Sequence, residues 1–252
     1  MKQHSLSRTE LLFGKEAIKK LNHSTVVLFG LGGVGSFALE ALARGGIGHI
    51  IIVDDDTICL TNINRQIHAN FHTIGKYKTD VLKDRILDIN PNCRVESYKI
   101  FADKSNIDNI IPLTADYVID AIDTVSSKIS LVVWCKNHNV NIISCMGTGN
   151  KLDPTKFKVC DIYDTKICPL AKVMRHELRK RGIKDLKVLY SEEIPKKPKI
   201  EEVTTCREGC VCTGGSKKCL LKRQIPSSNS FVPPVAGMII AGEVIKDILS
   251  LN

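Results

Sequence analysis

Residues 26–36 read VVLFGLGGVGS, an apolar run that ends in a G-x-G-x-x-G and passes straight into a second apolar stretch of helical period. Gly30, Gly32, Gly33 and Gly35 allow a tight turn and a close approach of backbone to a ligand. The helix that follows would present unbonded N–H groups and the positive end of its dipole to a phosphate. Asp54 lies 19 residues beyond Gly35, at the end of the next apolar run, HIIIVDDD. A carboxylate there accepts hydrogen bonds from a ribose, and Asp56 joins it among the candidate nucleotide contacts. This part of the chain is therefore read as a strand–turn–helix holding an adenine nucleotide.

Working outward, the same alternation continues through the first 146 residues. Strands are expected at 25–29, 49–53, 94–99, 117–119 and 141–145, with helices at 34–44, 76–89, about 105–111 and 126–137. Strands alternating with helices argue for an α/β, Rossmann-like, doubly wound and mainly parallel sheet, whose ligands bind at the carboxyl ends of the strands. Beyond residue 150 come a β run at 157–162, a basic helix at 169–181 and a strand at 186–190. A long aperiodic loop follows, and then an apolar segment, 231–251, interrupted by Glu243, Lys246 and Asp247. Its apolar stripe, Val235, Met238, Ile239, Val244, Ile245 and Ile248, reads as a helix returning to the sheet rather than a membrane span. The expected division is a nucleotide-binding core over 1–150, a basic extension over 151–230 and a packing helix over 231–252.

The chain carries a formal net charge of +9, and residues 151–225 hold 19 Lys and Arg against 10 Asp and Glu, which is the whole excess. A polyanionic partner would meet that half, although a solvated basic face is an equal reading of charge alone. The charged N-terminus has no apolar signal core, so the expected location is cytoplasmic. Six of ten cysteines (Cys59, Cys93, Cys135, Cys145, Cys160, Cys168) are isolated and read as small hydrophobes. Cys206, Cys210, Cys212 and Cys219 fall within 14 residues. In a reducing compartment four clustered thiolates favour a metal over disulfides, zinc first and an iron–sulfur cluster second, with free or redox-active thiols as the remaining reading.

A dinucleotide needs only positioning, whereas ATP attacked at its α-phosphate needs cations and a metal. Asn64, Arg65 and Gln66 follow the second strand in TNINRQ, Lys78 opens the next helix in GKYKTD, and Asp123 follows the fourth strand in DAIDT. Arg65 and Lys78 suit charge developing on transferring phosphates, and Asp123 suits Mg²⁺. Each alone has an ordinary reading as an ion pair, a solvated lysine or a helix cap; all three at the ligand end of one sheet favour ATP over NAD. A non-catalytic nucleotide-sensing module stays open on these residues.

GLGGVGS, VDDDTICLTNINRQ, GKYKTD, INP and IDAIDT, over roughly residues 8–148, resemble the nucleotide-binding core of the ubiquitin-activating-enzyme-like (ThiF-type) adenylating family. The resemblance implies Asp54 on the ribose, Asn64, Arg65 and Lys78 on the triphosphate and Asp123 on Mg²⁺. It also implies that Arg8, in SLSRTELLFG, reaches the site of the other subunit of a homodimer. Within the family, TNINRQIHA, PLAKVMRHELRKRGI and VLYSEE are similar to segments of the bacterial tRNA threonylcarbamoyladenosine dehydratases. That likeness implies a tRNA substrate, an acyl-adenylate intermediate and ring closure with net loss of water. Lys172, Arg175, Arg179, Lys180 and Arg181 would then track phosphates, with His176 and Arg179 on one helical face. The alternative within the family is adenylation of the C-terminal glycine of a ubiquitin-like sulfur-carrier protein, with a sulfur-transfer partner.

Overall fold

A computed structural model describes residues 3–199 and 226–251. Two helices, α1 (Ser7–Phe13) and α2 (Lys15–His23), precede the alternating elements and have no counterpart in the sequence reading. Then follow β1 (Thr25–Phe29), α3 (Gly35–Gly45), β2 (His49–Val53), α4 (Lys78–Ile89), β3 (Arg94–Tyr98), α5 (Ile107–Ile110), β4 (Tyr117–Asp120), α6 (Val125–Asn137) and β5 (Asn141–Cys145). The second half adds β6 (Phe157–Asp161), α7 (Pro169–Arg179), β7 (Lys187–Ser191) and α8 (Val232–Leu249).

All seven strands form one sheet in the order β3-β2-β1-β4-β5-β7-β6. Every pairing is parallel except that of β7 with the edge strand β6. The doubly wound α/β class expected from the alternation is the fold observed. β1 shows why its residues form a central strand. Val26 and Leu28 pack into one apolar layer with α3, α4 and α8, while Val27 and Phe29 pack into the other with α6 and α7. Period-two side chains buried on both faces require the continuous apolar run seen in the sequence. The chain order reverses between β1 and β4, so their carboxyl ends open a crevice.

Helix boundaries move where local pairing competes. α4 starts at Lys78 rather than residue 76 because Tyr77 pairs with Thr57 in an antiparallel bridge and Ile58 N–H donates to Lys76 O at 2.8 Å. α7 ends at Arg179, and the chain turns at Gly182 with φ +70°. α8 does return to the sheet with much of the expected stripe: Val244 and Ile248 are buried, and Ile239 and Ile245 pack half-buried on the core. The helix also buries Ala236, Gly237, Ile240 and Ala241, while Met238 is exposed. A Cβ on Gly237 would lie 2.3 Å from Val34 O, so α8 and α3 approach backbone to backbone, which only small residues permit. No helix among the described residues is long and apolar enough to cross a membrane.

Cys93, Cys135, Cys145 and Cys168 are buried free thiols and Cys160 is half-buried. Cys59 departs from the reading as a lone hydrophobe: it is part-exposed on the turn after β2 and disulfide-bonded.

Candidate nucleotide site

The crevice between the ends of β1 and β4 holds a cavity of about 410 Å³, a size typical of small-molecule sites. Gly30 has φ +88°, and a Cβ there would sit 2.7 Å from Ala121 O, so the two strand ends meet through glycine. A Cβ on Gly35 would lie 1.8 Å from Gly30 O, which seats the start of α3 directly on the turn. Gly32 differs: a Cβ there meets no protein atom within 4 Å. The space beside it belongs to the cavity, where a phosphate would approach the N-terminus of α3.

Asp54 braces this turn. Its Oδ2 accepts Leu31 N–H at 2.6 Å and its Oδ1 accepts Asp56 N–H at 2.8 Å. Lys78, 5% exposed, places Nζ 2.8 Å from Asp56 Oδ2 and 3.6 Å from Asp54 Oδ1. Arg65 Nη1 donates to Thr61 O at 2.8 Å and Asn64 Oδ1 at 2.9 Å, which orients the guanidinium on the rim of the glycine turn. Gln66 is buried with Oε1 unpartnered, and Asp123 is exposed just beyond β4.

The fold thus brings Gly30, Gly32, Gly33, Asp54, Asp56, Arg65, Gln66, Lys78 and Asp123 around one cavity. Three expected contacts are not in its wall. Gly35 acts beneath the turn. Asn64 instead donates Nδ2–H to Ser228 O at 3.1 Å, tying the 60–66 loop to the segment that leads into α8. Arg8 is exposed on α1, a helix that buries no residue and leaves Leu11 and Leu12 bare. Cys206, Cys210, Cys212 and Cys219 lie outside the described residues.

Several features of the site escaped the sequence reading. Lys128 and Asp120 are wholly buried, with Nζ 2.9 Å from Oδ2. Lys128 also donates to Ile122 O at 3.1 Å and Cys145 O at 2.8 Å, and Ser144 Oγ–H donates to Asp120 Oδ2 at 2.5 Å. The cluster fastens the loops after β4 and β5, both of which line the cavity. Ser127 Oγ and Ser228 Oγ are buried, unpartnered and in the same wall. Ser127 sits in the first turn of α6 near Ile100, Ala102 and Ile122, which share one apolar cluster with Ile129 of that helix. An apolar wall with a hydroxyl suits a purine face and edge. The one available signal, Ser127 following a strand-end carboxylate, is too common to single out.

The ThiF family model matches residues 6–251. The chain belongs to the ThiF family. A Bacillus subtilis protein, tRNA threonylcarbamoyladenosine dehydratase, is 45% identical over 249 residues, covering 98% of this chain and 95% of the relative. The crystal structure of the E. coli tRNA N6-threonylcarbamoyladenosine dehydratase in complex with ATP superposes with TM-score 0.84 at 30% identity, covering 98% of this chain and 94% of that one. The same E. coli enzyme in complex with AMP gives TM-score 0.84 and 30% identity over 97% and 94% of the two chains. Membership over nearly the whole length includes the basic second half and α8, beyond the segment that carries the motifs.

Proposed function

We propose that the protein is an ATP-dependent dehydratase acting on threonylcarbamoyladenosine in tRNA, working in the cytoplasm. The observation that carries this is the convergence of Arg65, Lys78 and Asp123 on the cavity formed by the glycine turn, in a ThiF-family chain similar along its length to named dehydratases. The unpartnered Gln66, Ser127 and Ser228 and the open space beside Gly32 fit a polar nucleotide.

In this reading the N-terminus of α3 and Gly32 cradle phosphate, Asp54 and Asp56 face the ribose, and Arg65 and Lys78 neutralise charge on the triphosphate. Asn64 holds the loop that carries Arg65. Asp123 supplies a hard oxygen ligand suited to Mg²⁺, which would screen the phosphate charge. An oxygen of the threonyl carboxylate attacks the α-phosphorus of ATP, and pyrophosphate leaves. The neighbouring carbamoyl group then closes a ring on the activated carbonyl, and AMP leaves with the carboxylate oxygen. Ring closure is intramolecular, so proximity replaces a protein nucleophile.

The exposed α1, with Leu11 and Leu12 uncovered beside Arg8, supports a homodimer in which Arg8 completes the partner's site. A metal at Cys206, Cys210, Cys212 and Cys219 is carried on sequence spacing alone and takes no part in these steps.

The test incubates the protein with Mg²⁺-ATP and tRNA bearing threonylcarbamoyladenosine, then weighs the digested nucleoside, with Asp123→Ala as control. Loss of one water, absent in the variant, supports the reading. An unchanged nucleoside, with pyrophosphate exchange only on adding a glycine-terminated carrier protein, overturns it. Mixing Arg8→Ala with Asp123→Ala subunits should restore about a quarter of the sites if Arg8 crosses the dimer.

A further inference from the structure

Four non-glycine residues among those described have positive φ; two are asparagines, one is the serine capping α8, and the fourth is Ile167 at φ +62°. A β-branched residue is a real outlier there, because its branched Cβ crowds the backbone. The conformation is locked by a γ-turn in which Cys168 N–H donates to Lys166 O at 2.5 Å. The surroundings hold the turn from both sides. Thr165 is buried, its Oγ1–H donates to Ile162 O at 2.6 Å, and Arg175 donates from α7 to both Thr165 O and Thr165 Oγ1. Ile167 is nevertheless 54% exposed, so burial of its side chain does not explain the strain. Strain held in place by its neighbours and spent on presenting an apolar group to solvent points to a contact made outside the chain.

The turn stands beside the nucleotide cavity. A Cβ on Gly147 would meet Cys168 Sγ at 3.9 Å and Leu170 Cβ at 4.0 Å, so the first turn of α7 packs on the loop whose next two residues, Thr148 and Gly149, line the cavity. From there α7 leads away. The basic residues of α7 and of the turn after it divide by what they already hold. Arg175 is committed to Thr165, and Lys180 and Arg181 both clamp Glu177 at 3.1 and 2.8 Å. Lys172, His176 and Arg179 remain exposed at i, i+4 and i+7, one face of the helix, with Val173 alongside at 46% exposure. Arg179 stacks on the Tyr163 ring at 4.9 Å, and no carboxylate pairs with Lys172 among the described residues.

We infer that this face, Tyr163, Lys166, Ile167, Lys172, His176 and Arg179, is where the RNA loop carrying the substrate nucleoside lies, with Ile167 packed against the base or ribose next to the reacting one. The inference deepens the dehydratase reading and rests on it for the identity of the RNA. A single-stranded loop offers the two chemistries this face is built for: phosphates for a row of cations, and unstacked base faces for apolar and guanidinium surfaces. An acidic protein offers carboxylates and apolar groups but no unstacked base faces for the Arg179 guanidinium and the Tyr163 ring.

The experiment measures tRNA affinity against salt concentration for wild type, Ile167→Asn, Ile167→Gly and the pair Lys172→Ala with Arg179→Ala, with ATP affinity and thermal midpoint as controls. Asn and Gly both accept positive φ, so the turn survives and the thermal midpoint stays level or rises. The Ile167 variants should bind tRNA about fivefold more weakly with the salt slope unchanged, since an apolar contact releases no counterions. The paired cation variant should lose affinity and flatten the logarithmic salt slope by about 1.5, two contacts at about 0.7–0.9 each. ATP affinity should be the same in all four proteins. Wild-type tRNA affinity and slope in these variants would overturn the inference. Tight tRNA binding by a wild type that removes no water would instead defeat the dehydratase reading, and the affinity differences would still decide the face.

Discussion

Replacing Lys128 by Met keeps the length of the side chain and deletes its charge from the centre of the site. Nζ is 2.9 Å from Asp120 Oδ2, and both residues are wholly buried. The carboxylate would keep Ser144 Oγ–H and Ile122 N–H at 2.5 and 3.2 Å but lose its counter-ion, while Ile122 O and Cys145 O would lose a donor. Breaking a buried pair from one side costs about 3–5 kcal/mol, because the remaining charge can neither hydrate nor pair. Against a domain stability of about 5–15 kcal/mol that is a large fraction, so the variant should remain foldable but strongly destabilised. Adding Asp120→Asn removes the stranded charge and keeps the carboxamide within reach of Ser144 and Ile122. The double variant should then recover about 1–3 kcal/mol relative to additivity. Urea unfolding followed by circular dichroism, with the slopes compared, measures both quantities. A cost below about 1 kcal/mol for Lys128→Met, or strict additivity in the cycle, would refute the view that this pair fastens the β4 and β5 loops through charge.

Other consequences can be measured in the same protein. Gly32→Ala should leave the thermal midpoint unchanged and weaken ATP about tenfold, because its Cβ enters ligand space and touches no protein atom. Gly30→Ala, with φ +88° and a contact at 2.7 Å, should cost more than about 1 kcal/mol in stability. Isothermal titration and melting separate the two, and unimpaired ATP binding by Gly32→Ala would move the phosphates elsewhere. His68 is held down from 6.5 to about 3 by burial first, then by Lys78 and Arg85. Between those values the unfolded chain binds the extra proton, so stability rises with pH through that window and falls on acidification. At pH 5 the loss is about 2 kcal/mol, which His68→Leu should abolish. Identical pH slopes in the two proteins would refute this. Burial pushes Cys93 up to about 11 and Cys135 and Cys145 up to about 12. At pH 8 the last two are thiolate in about one molecule in ten thousand, so iodoacetamide should spare them until the protein is unfolded, as peptide masses would show. Labelling of Cys145 in the native protein within minutes would contradict its placement.

The glycine turn, the strand–helix alternation and the gathering of the candidate residues were legible because each depends on neighbours in sequence. A G-x-G-x-x-G between a strand and a helix specifies its own backbone, and residues just beyond successive parallel strands must gather at one edge of the sheet. That suffices to bring Asp54, Arg65, Lys78 and Asp123 together around one cavity. Reach across the fold was not legible. Asn64 sits in the motif yet turns to Ser228, 164 residues away. Nothing in the sequence singles out Lys128, whose burial depends on carbonyls supplied by two other segments. The stripe expected for α8 includes the buried Val244 and Ile248, but where α3 comes closest the approach selects Gly237 over the exposed Met238. Local pattern by itself determined the class of the fold and the edge of the sheet at which the cavity opens. Tertiary structure alone decided which cations are already committed and which polar atoms are left for a ligand, because hydrogen-bond satisfaction is a property of the packed whole.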